Sequence, residues 1–128
     1  MLWYIAAGSA LGGMSRYLLG GAIQRLLETT FPAGTLLINI TGSFQLGVII
    51  RFAVVTPAIS PEVRAFLTIG FCGGYTTFST FSYETAAMLE DGEWTHAAFY
   101  IVASVGVSLL ATFLGFAVAR AALGARGA

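Results

Sequence analysis

The sequence predicts an all-α membrane protein with four transmembrane helices, and three observations support this fold class. Hydrophobic residues make up 57% of the 128 residues and charged residues only 9%, far below the roughly 25% charged residues of soluble domains. Long uncharged runs, such as residues 65–83 and 97–119, match the roughly 20 residues that cross a bilayer as a helix. These runs do not alternate in polarity, as the strands of a membrane β-barrel would.

We expect one domain, residues 1–128, with spans at approximately residues 2–27, 34–55, 62–90 and 95–123. The connections between the spans are short and contain Pro or Gly, which are typical of turns. Ser60 and Pro61 precede the third span. Because Ser is favoured as a helix N-cap and Pro at the first helical position, this pair predicts a helix start.

The first span is rich in glycine and carries one arginine near its middle. Gly8 and Gly12 lie four residues apart, a spacing that lets membrane helices approach closely. Arg16 allows two interpretations. Its guanidinium either faces protein or water inside the membrane, because lipid contact there is costly, or it marks a helix end and extends to the interface.

The second span holds a single asparagine, Asn39, with Thr35 one helical turn before it. An amide in an uncharged run must bind another helix or a molecule in a pore. Without further information, bonding between helices is the simpler interpretation, and the sequence leaves the alternative open.

The third span is the least regular, and we predict that it is broken in mid-membrane. Gly70, Gly73 and Gly74 each disfavour a helix interior by about 1 kcal/mol relative to Ala. Hydroxyl side chains follow at Thr76, Thr77, Ser79, Thr80 and Ser82. Since unpaired backbone groups cost several kcal/mol each in lipid, a break persists only inside protein or beside a wet cavity. This stretch is therefore the candidate site.

Two aromatic residues and one acid accompany these hydroxyls. Phe78 and Phe81 are spaced i, i+3 and share a helix face, which by composition alone favours ordinary packing. Aromatic rings have a positive edge, so two ring edges can also face a small anion. Glu84 is the only acid expected deep in the membrane.

The fourth span places Tyr100, Ser104 and Ser108 at i, i+4 and i+8, on one helix face. Serines in membrane helices often bond to their own backbone carbonyls, so this track alone is weak evidence for a pore. The track becomes stronger evidence for a pore if these hydroxyls pair with those of the third span.

The residue types argue against an enzyme. The single histidine, His96, is expected at the membrane edge, and no cluster of His, Cys and carboxylates offers a metal site. Cys72 excludes an internal disulfide and is expected to be a small apolar core residue. A formal net charge of zero gives no basic surface for nucleic acid. Neutral hydroxyl and amide donors instead suit the permeation of an anion, because they replace its water without trapping it.

Three stretches of the chain resemble the small fluoride channels called Fluc or CrcB proteins. They are Gly12-Gly13-Met14-Ser15-Arg16-Tyr17, Gly34-Thr35-Leu36-Leu37-Ile38-Asn39, and the run from Gly70 to Glu84, GFCGGYTTFSTFSYE. The resemblance covers nearly the whole chain. It implies a fluoride-selective channel in the cell (inner) membrane that lets fluoride leave passively and so limits fluoride toxicity in the cytoplasm.

The resemblance also implies an assembly, a cofactor and a set of site residues. Two copies in opposite orientations would form an antiparallel, dual-topology homodimer with two pores. A structural Na⁺ at its centre would be held by the backbone carbonyls of Gly73 and Thr76. The implied pore residues are Asn39, Phe78, Phe81, Tyr100, Ser104 and Ser108. Further pore candidates are Thr35, Thr77, Thr80 and Glu84, and Arg16 is a vestibule or structural candidate.

The arginines do not by themselves predict two orientations. If the N-terminus, second connection and C-terminus share one side, that side carries Arg51, Arg64, Arg120 and Arg126, and the other side carries Arg25 and at most Arg16. This bias favours a single orientation under the positive-inside rule. The expected dual topology therefore depends on the resemblance.

Two other functions remain as hypotheses. Small four-helix exporters of organic cations use a carboxylate in the first helix, whereas residues 2–27 contain no Asp or Glu. A non-transporting membrane scaffold would tolerate apolar replacements of similar size at Asn39, Phe78 and Phe81.

Overall fold

The computed structural model describes residues 1–124, so Arg126 in the expected C-terminal tail lies outside the described residues. The secondary structure is entirely helical within this range, which confirms the predicted class. The elements are α1 (Leu2–Leu27), α2 (Ala33–Val55), α3 (Pro61–Ala65), a π-helical segment (Phe66–Cys72), α4 (Gly73–Tyr75), α5 (Phe78–Glu90) and α6 (Trp94–Gly124). We call the run from α3 through α5 the third stretch. The chain thus has four helical stretches.

Helices α2 and α6 are each long and apolar enough to cross a membrane. Only 22% of the apolar window of α2 and 17% of that of α6 are buried by the rest of the chain. Large apolar side chains of α6 are exposed along its length, including Phe99, Val102, Leu110, Phe113 and Leu114. In water such a surface would be an aggregation liability, whereas in a bilayer it contacts lipid. The chain is therefore a membrane protein.

The helices pack as two close pairs, α2 with α6 and α1 with the third stretch. Glycines make the second pair possible, because a Cβ at Gly8 would overlap the carbonyl oxygen of Phe66 and one at Gly12 that of Phe71. From the other side, a Cβ at Gly74 would lie 2.7 Å from the carbonyl oxygen of Ser9. Backbone contact of this kind is how small residues join membrane helices.

The third stretch begins as the sequence predicts and then departs from α-helical geometry. Ser60 caps α3 by accepting a hydrogen bond from the N–H of Val63 at 3.2 Å, and Pro61 is the first helical residue. The following seven residues are π-helical, a geometry that is rare and often marks functional sites.

The same stretch leaves the helix altogether after Tyr75. Thr76 (φ −83°, ψ 159°) and Thr77 (φ −150°, ψ 120°) have extended backbones, and α5 begins at Phe78. The Thr77 hydroxyl caps α5 by accepting a hydrogen bond from the N–H of Thr80 at 3.2 Å. Two extended residues thus separate α4 from α5.

Replacing Gly12 by Ala should destabilise the protein by about 1–3 kcal/mol, because the new methyl group has no room beside the Phe71 carbonyl. The matched control is Gly13→Ala in the same helix, where a Cβ would meet no atom within 4 Å. Denaturation of the purified proteins in detergent would compare the two variants. Equal unfolding free energies would contradict the close packing of α1 on the third stretch.

Candidate functional site

A groove of about 320 Å³ lies where α2, the third stretch and α6 meet. Its lining includes eight of the residues singled out from the sequence: Asn39, Gly73, Thr76, Thr77, Phe78, Phe81, Ser104 and Ser108. Gly42, Ser43, Leu46, Thr68, Cys72 and Val105 complete the lining. The structure thus brings polar residues from three helical stretches to the place where the third one is interrupted.

Asn39 binds both backbone groups of one extended residue. Its Nδ2 donates to the carbonyl oxygen of Thr77 at 3.1 Å, and its Oδ1 accepts from the N–H of Thr77 at 2.8 Å. These bonds replace the helical partners that the extended backbone of Thr77 lacks. An amide carries two N–H groups, so one donor of Asn39 remains for another acceptor.

Ser104 and Ser108 line the opposite wall of the groove, one turn apart on α6. Their hydroxyl oxygens are buried, and neither has a hydrogen-bond partner among residues 1–124. A buried hydroxyl without a partner costs about 1–3 kcal/mol. Two of the residues that line the groove thus carry hydroxyls that no other group of residues 1–124 satisfies.

Aromatic rings form the wall between the groove and the core. The ring centroids of Phe78 and Phe81 are 5.6 Å apart with an interplanar angle of 51°, and those of Phe81 and Tyr100 are 5.1 Å apart at the same angle. Phe78 is 78% exposed, whereas Tyr100 is completely buried. Phe81 thus joins an exposed ring at the groove to the core of the protein.

Three of the remaining pore candidates line a second pocket of about 250 Å³ beside the groove. Thr35, Thr80 and Glu84 line it, and Thr77 borders both spaces. The Glu84 carboxylate accepts hydrogen bonds from the Thr35 hydroxyl at 3.2 Å and from the Tyr100 hydroxyl at 2.8 Å. Tyr100 therefore reaches the second pocket through Glu84 and does not line the groove itself.

Arg16 lines this second pocket and contacts the third stretch. Its Nε donates to the carbonyl oxygen of Gly74 at 3.2 Å, and its side chain is half-buried. The guanidinium therefore faces protein, as the first of the two sequence interpretations proposed.

The extended residues Thr76 and Thr77 interrupt the third stretch, and this interruption leaves two backbone carbonyls unpaired. The N–H of Thr77 binds Asn39 instead of Gly73, and the N–H of Thr80 binds the Thr77 hydroxyl instead of Thr76. Within residues 1–124 no hydrogen bond reaches the carbonyl oxygen of Gly73 or of Thr76. Free carbonyl oxygens are the kind of ligand that hard cations prefer.

Three further residues near these sites were not among the predicted site residues. Gly42 lies opposite Thr76, whose methyl group a Cβ on Gly42 would overlap. Tyr75 is buried, and its hydroxyl lies 2.9 Å from the hydroxyl of Thr41. Gln24 lines the second pocket and binds the turn between α1 and α2. Only Gly42 had a usable signal, because it is spaced i, i+3 from Asn39.

Comparisons with known proteins agree with the sequence resemblance. A family model described as "CrcB-like protein, Camphor Resistance (CrcB)" matches residues 3–116. A relative from Geobacter metallireducens (strain ATCC 53774 / DSM 7210 / GS-15) is 51% identical over 116 residues, which cover 91% of this chain and 94% of the relative. A relative from Geotalea uraniireducens (strain Rf4) is 49% identical over 118 residues, covering 92% and 95%.

A third relative, from Rhizobium meliloti (strain 1021), is 48% identical over 117 residues, which cover 91% of this chain and 94% of the relative. All three relatives are named "Fluoride-specific ion channel FluC". The matches extend over nearly the full length of both partners in each comparison. The chain therefore belongs to the CrcB family.

Proposed function

We propose that this chain forms a fluoride-selective channel through which fluoride leaves the cell passively, which lowers fluoride toxicity in the cytoplasm. The observation that carries the proposal is the pair of buried, unpartnered hydroxyls of Ser104 and Ser108 at the groove, in a chain whose relatives are named fluoride channels. Fluoride is a small, strongly hydrated anion, and hydroxyl donors can replace its water.

The donors of the groove are neutral, and this favours conduction over tight binding. The free N–H of Asn39 and the hydroxyls of Ser104 and Ser108 offer donation without a full positive charge. Among the residues that line the groove, none is an arginine or lysine. Conduction requires a site that an ion can enter and also leave.

The rings of Phe78 and Phe81 supply the other side of the anion path. Their edges carry partial positive charge, and both rings line the groove, tilted at 51° to each other. The second pocket, with Arg16, Thr35, Thr80 and Glu84, then serves as a vestibule beside the narrow path. Thr77 belongs to both spaces and connects them.

An antiparallel, dual-topology homodimer with two pores explains the exposed part of the site. In one subunit Phe78 and Gly73 are exposed and the groove is open on one side. If the interruption at Thr76 and Thr77 lies in mid-membrane, its unpaired carbonyls would cost several kcal/mol each in lipid. A second copy in the opposite orientation would cover them.

A Na⁺ ion at the dimer centre would bind the carbonyl oxygens of Gly73 and Thr76. This assignment is supported by the two unpaired carbonyls at the interruption. When bound, the ion supplies fixed positive charge that offsets the cost of an anion in the membrane. The backbone of the third stretch holds the two oxygens through the glycine contacts of α4 with α1.

The chain is a channel and not an enzyme, and we propose that it is a multi-pass protein of the plasma or inner membrane. The hypothesis of an organic-cation exporter and that of a scaffold both lose support, because the relatives are named ion channels. Fluoride, a second copy of the chain and the lipid bilayer are the proposed partners, and no nucleic acid is involved.

The proposal is tested by ion efflux from liposomes that contain the purified protein. A potassium ionophore removes the opposing voltage, and ion-selective electrodes follow the release of fluoride and, in parallel, chloride. We expect fast fluoride release without chloride release. Chloride release at the same rate, or no release of either ion from a folded dimer, would overturn the proposed function.

Removing both groove hydroxyls, as Ser104→Ala with Ser108→Ala, should slow fluoride efflux about tenfold or more. Each hydroxyl that binds a dehydrated anion contributes on the order of 1 kcal/mol or more, and 1.4 kcal/mol corresponds to a factor of ten. Ser82→Ala is the control, because Ser82 is exposed and does not line the groove. Wild-type efflux from the double variant would remove these serines from the path.

Asn39→Asp should abolish fluoride efflux while the protein still folds. The substitution keeps the acceptor for the Thr77 N–H but loses the donors and places a carboxylate beside an anion path. A like charge at close range in a low-dielectric site costs several kcal/mol. Gln45→Glu puts the same charge on α2 at a residue outside the groove lining and should retain efflux. Robust efflux from Asn39→Asp would contradict the position of Asn39 in the path.

A further inference from the structure

Gln24, near the end of α1, binds the turn that leads into α2. Its Nε2 donates to the carbonyl oxygen of Thr29 at 2.7 Å and to that of Phe31 at 2.8 Å. Its Oε1 accepts from the N–H of Gly34 at 2.9 Å. One side chain thus fixes the start, the middle and the end of the turn.

These three bonds exclude Gln24 from ion binding even though it lines the second pocket. Both hydrogens of its amide are donated to backbone carbonyls, so none remains for an anion. The Gly34 N–H that it accepts is one of the first-turn donors of α2, which have no partner within the helix. The role of Gln24 is therefore to hold the backbone of the turn.

Phe31 belongs to this turn, and its ring packs against Tyr100. Its ring centroid lies 5.5 Å from that of Tyr100 with an interplanar angle of 81°, the edge-to-face arrangement that aromatic pairs favour. Phe31 also packs with Phe81 against the buried cluster of Met88, Ala97 and Tyr100. It forms the outer wall behind Tyr100.

Tyr100 is held from three directions and has little freedom once Phe31 is in place. It is completely buried, its ring packs on Phe81, and its hydroxyl donates to Glu84 at 2.8 Å. A change in the Phe31 ring would therefore move Tyr100, and through it both Phe81 at the groove and Glu84 at the second pocket.

We propose that Gln24 is a positioning residue of the permeation path, which acts by holding Phe31 against Tyr100. The inference rests on the proposed function, because it concerns the rate at which fluoride passes the Phe81 and Glu84 region. Gln24 lies near the end of α1 and does not line the groove. The inference therefore adds a residue outside the groove to those that control permeation.

The experiment measures initial fluoride efflux from liposomes for the wild type, Gln24→Met, Phe31→Leu and the double variant. Methionine keeps the length of the side chain and removes all three hydrogen bonds. We expect Gln24→Met to slow efflux about tenfold, the order of magnitude for losing net hydrogen bonds of this kind. We expect Phe31→Leu to slow it similarly. The double variant should be no slower than Phe31→Leu alone, because both changes act on the same ring.

Gln45→Met is the matched control, because Gln45 is a half-buried glutamine of α2 outside both pockets, and it should retain wild-type efflux. Additive losses in the double variant would show that Gln24 acts on stability in general and would overturn the inference, as would unchanged efflux in Gln24→Met. If Gln24→Met does not fold, wild-type efflux from Phe31→Leu overturns it. No fluoride efflux from the wild type would instead overturn the proposed function itself.

Discussion

The two hydrogen bonds between the Asn39 amide and the backbone of Thr77 are the interaction on which the rest of the site depends. An extended residue between two helices has an N–H and a C=O without helical partners, and each would cost several kcal/mol in lipid. An amide side chain can donate and accept at once, so one residue satisfies both groups. With the interruption fixed, α5 begins where Phe78 faces the groove and Phe81 reaches Tyr100.

This interaction requires that α2 and the third stretch approach closely, and glycine provides the space. Gly42 lies one turn after Asn39 on α2, and a Cβ there would overlap the methyl group of Thr76. One face of α2 therefore combines a residue that binds the extended backbone with a residue that leaves room for it. On the other side, Gly8 and Gly12 of α1 lie against backbone atoms of the third stretch. Because Asn39 of α2 binds the Thr77 backbone and α1 packs on the backbone of the preceding segment, the extended geometry of Thr76 and Thr77 has little freedom to relax into a helix.

The helical class and the irregularity near Gly73 and Thr76 could be predicted from the sequence, because composition, uncharged runs and glycine content act locally. The partners of the polar residues could not. The i, i+4 spacing placed Thr35 with Asn39, yet Thr35 binds Glu84 in the second pocket while Asn39 binds Thr77. These contacts join residues 49 and 38 positions apart, and helix periodicity carries no information about such pairs. Likewise, the π-helical segment is too short for its periodicity to differ visibly from that of an α-helix.

The hydrogen bonds distinguish residues that keep a free donor from residues whose donors hold the fold, which position alone does not. Gln24 lies beside the second pocket, but both of its donors are used. Thr112 continues the hydroxyl track of α6 one turn beyond Ser108, but its hydroxyl donates to backbone carbonyls of Ser108 at 3.1 Å and Ser43 at 3.4 Å. Asn39 retains one N–H, and Ser104 and Ser108 retain their whole hydroxyl groups. The unused donors thus all belong to residues that line one groove beside the interruption, where no other group of residues 1–124 satisfies the two serine hydroxyls.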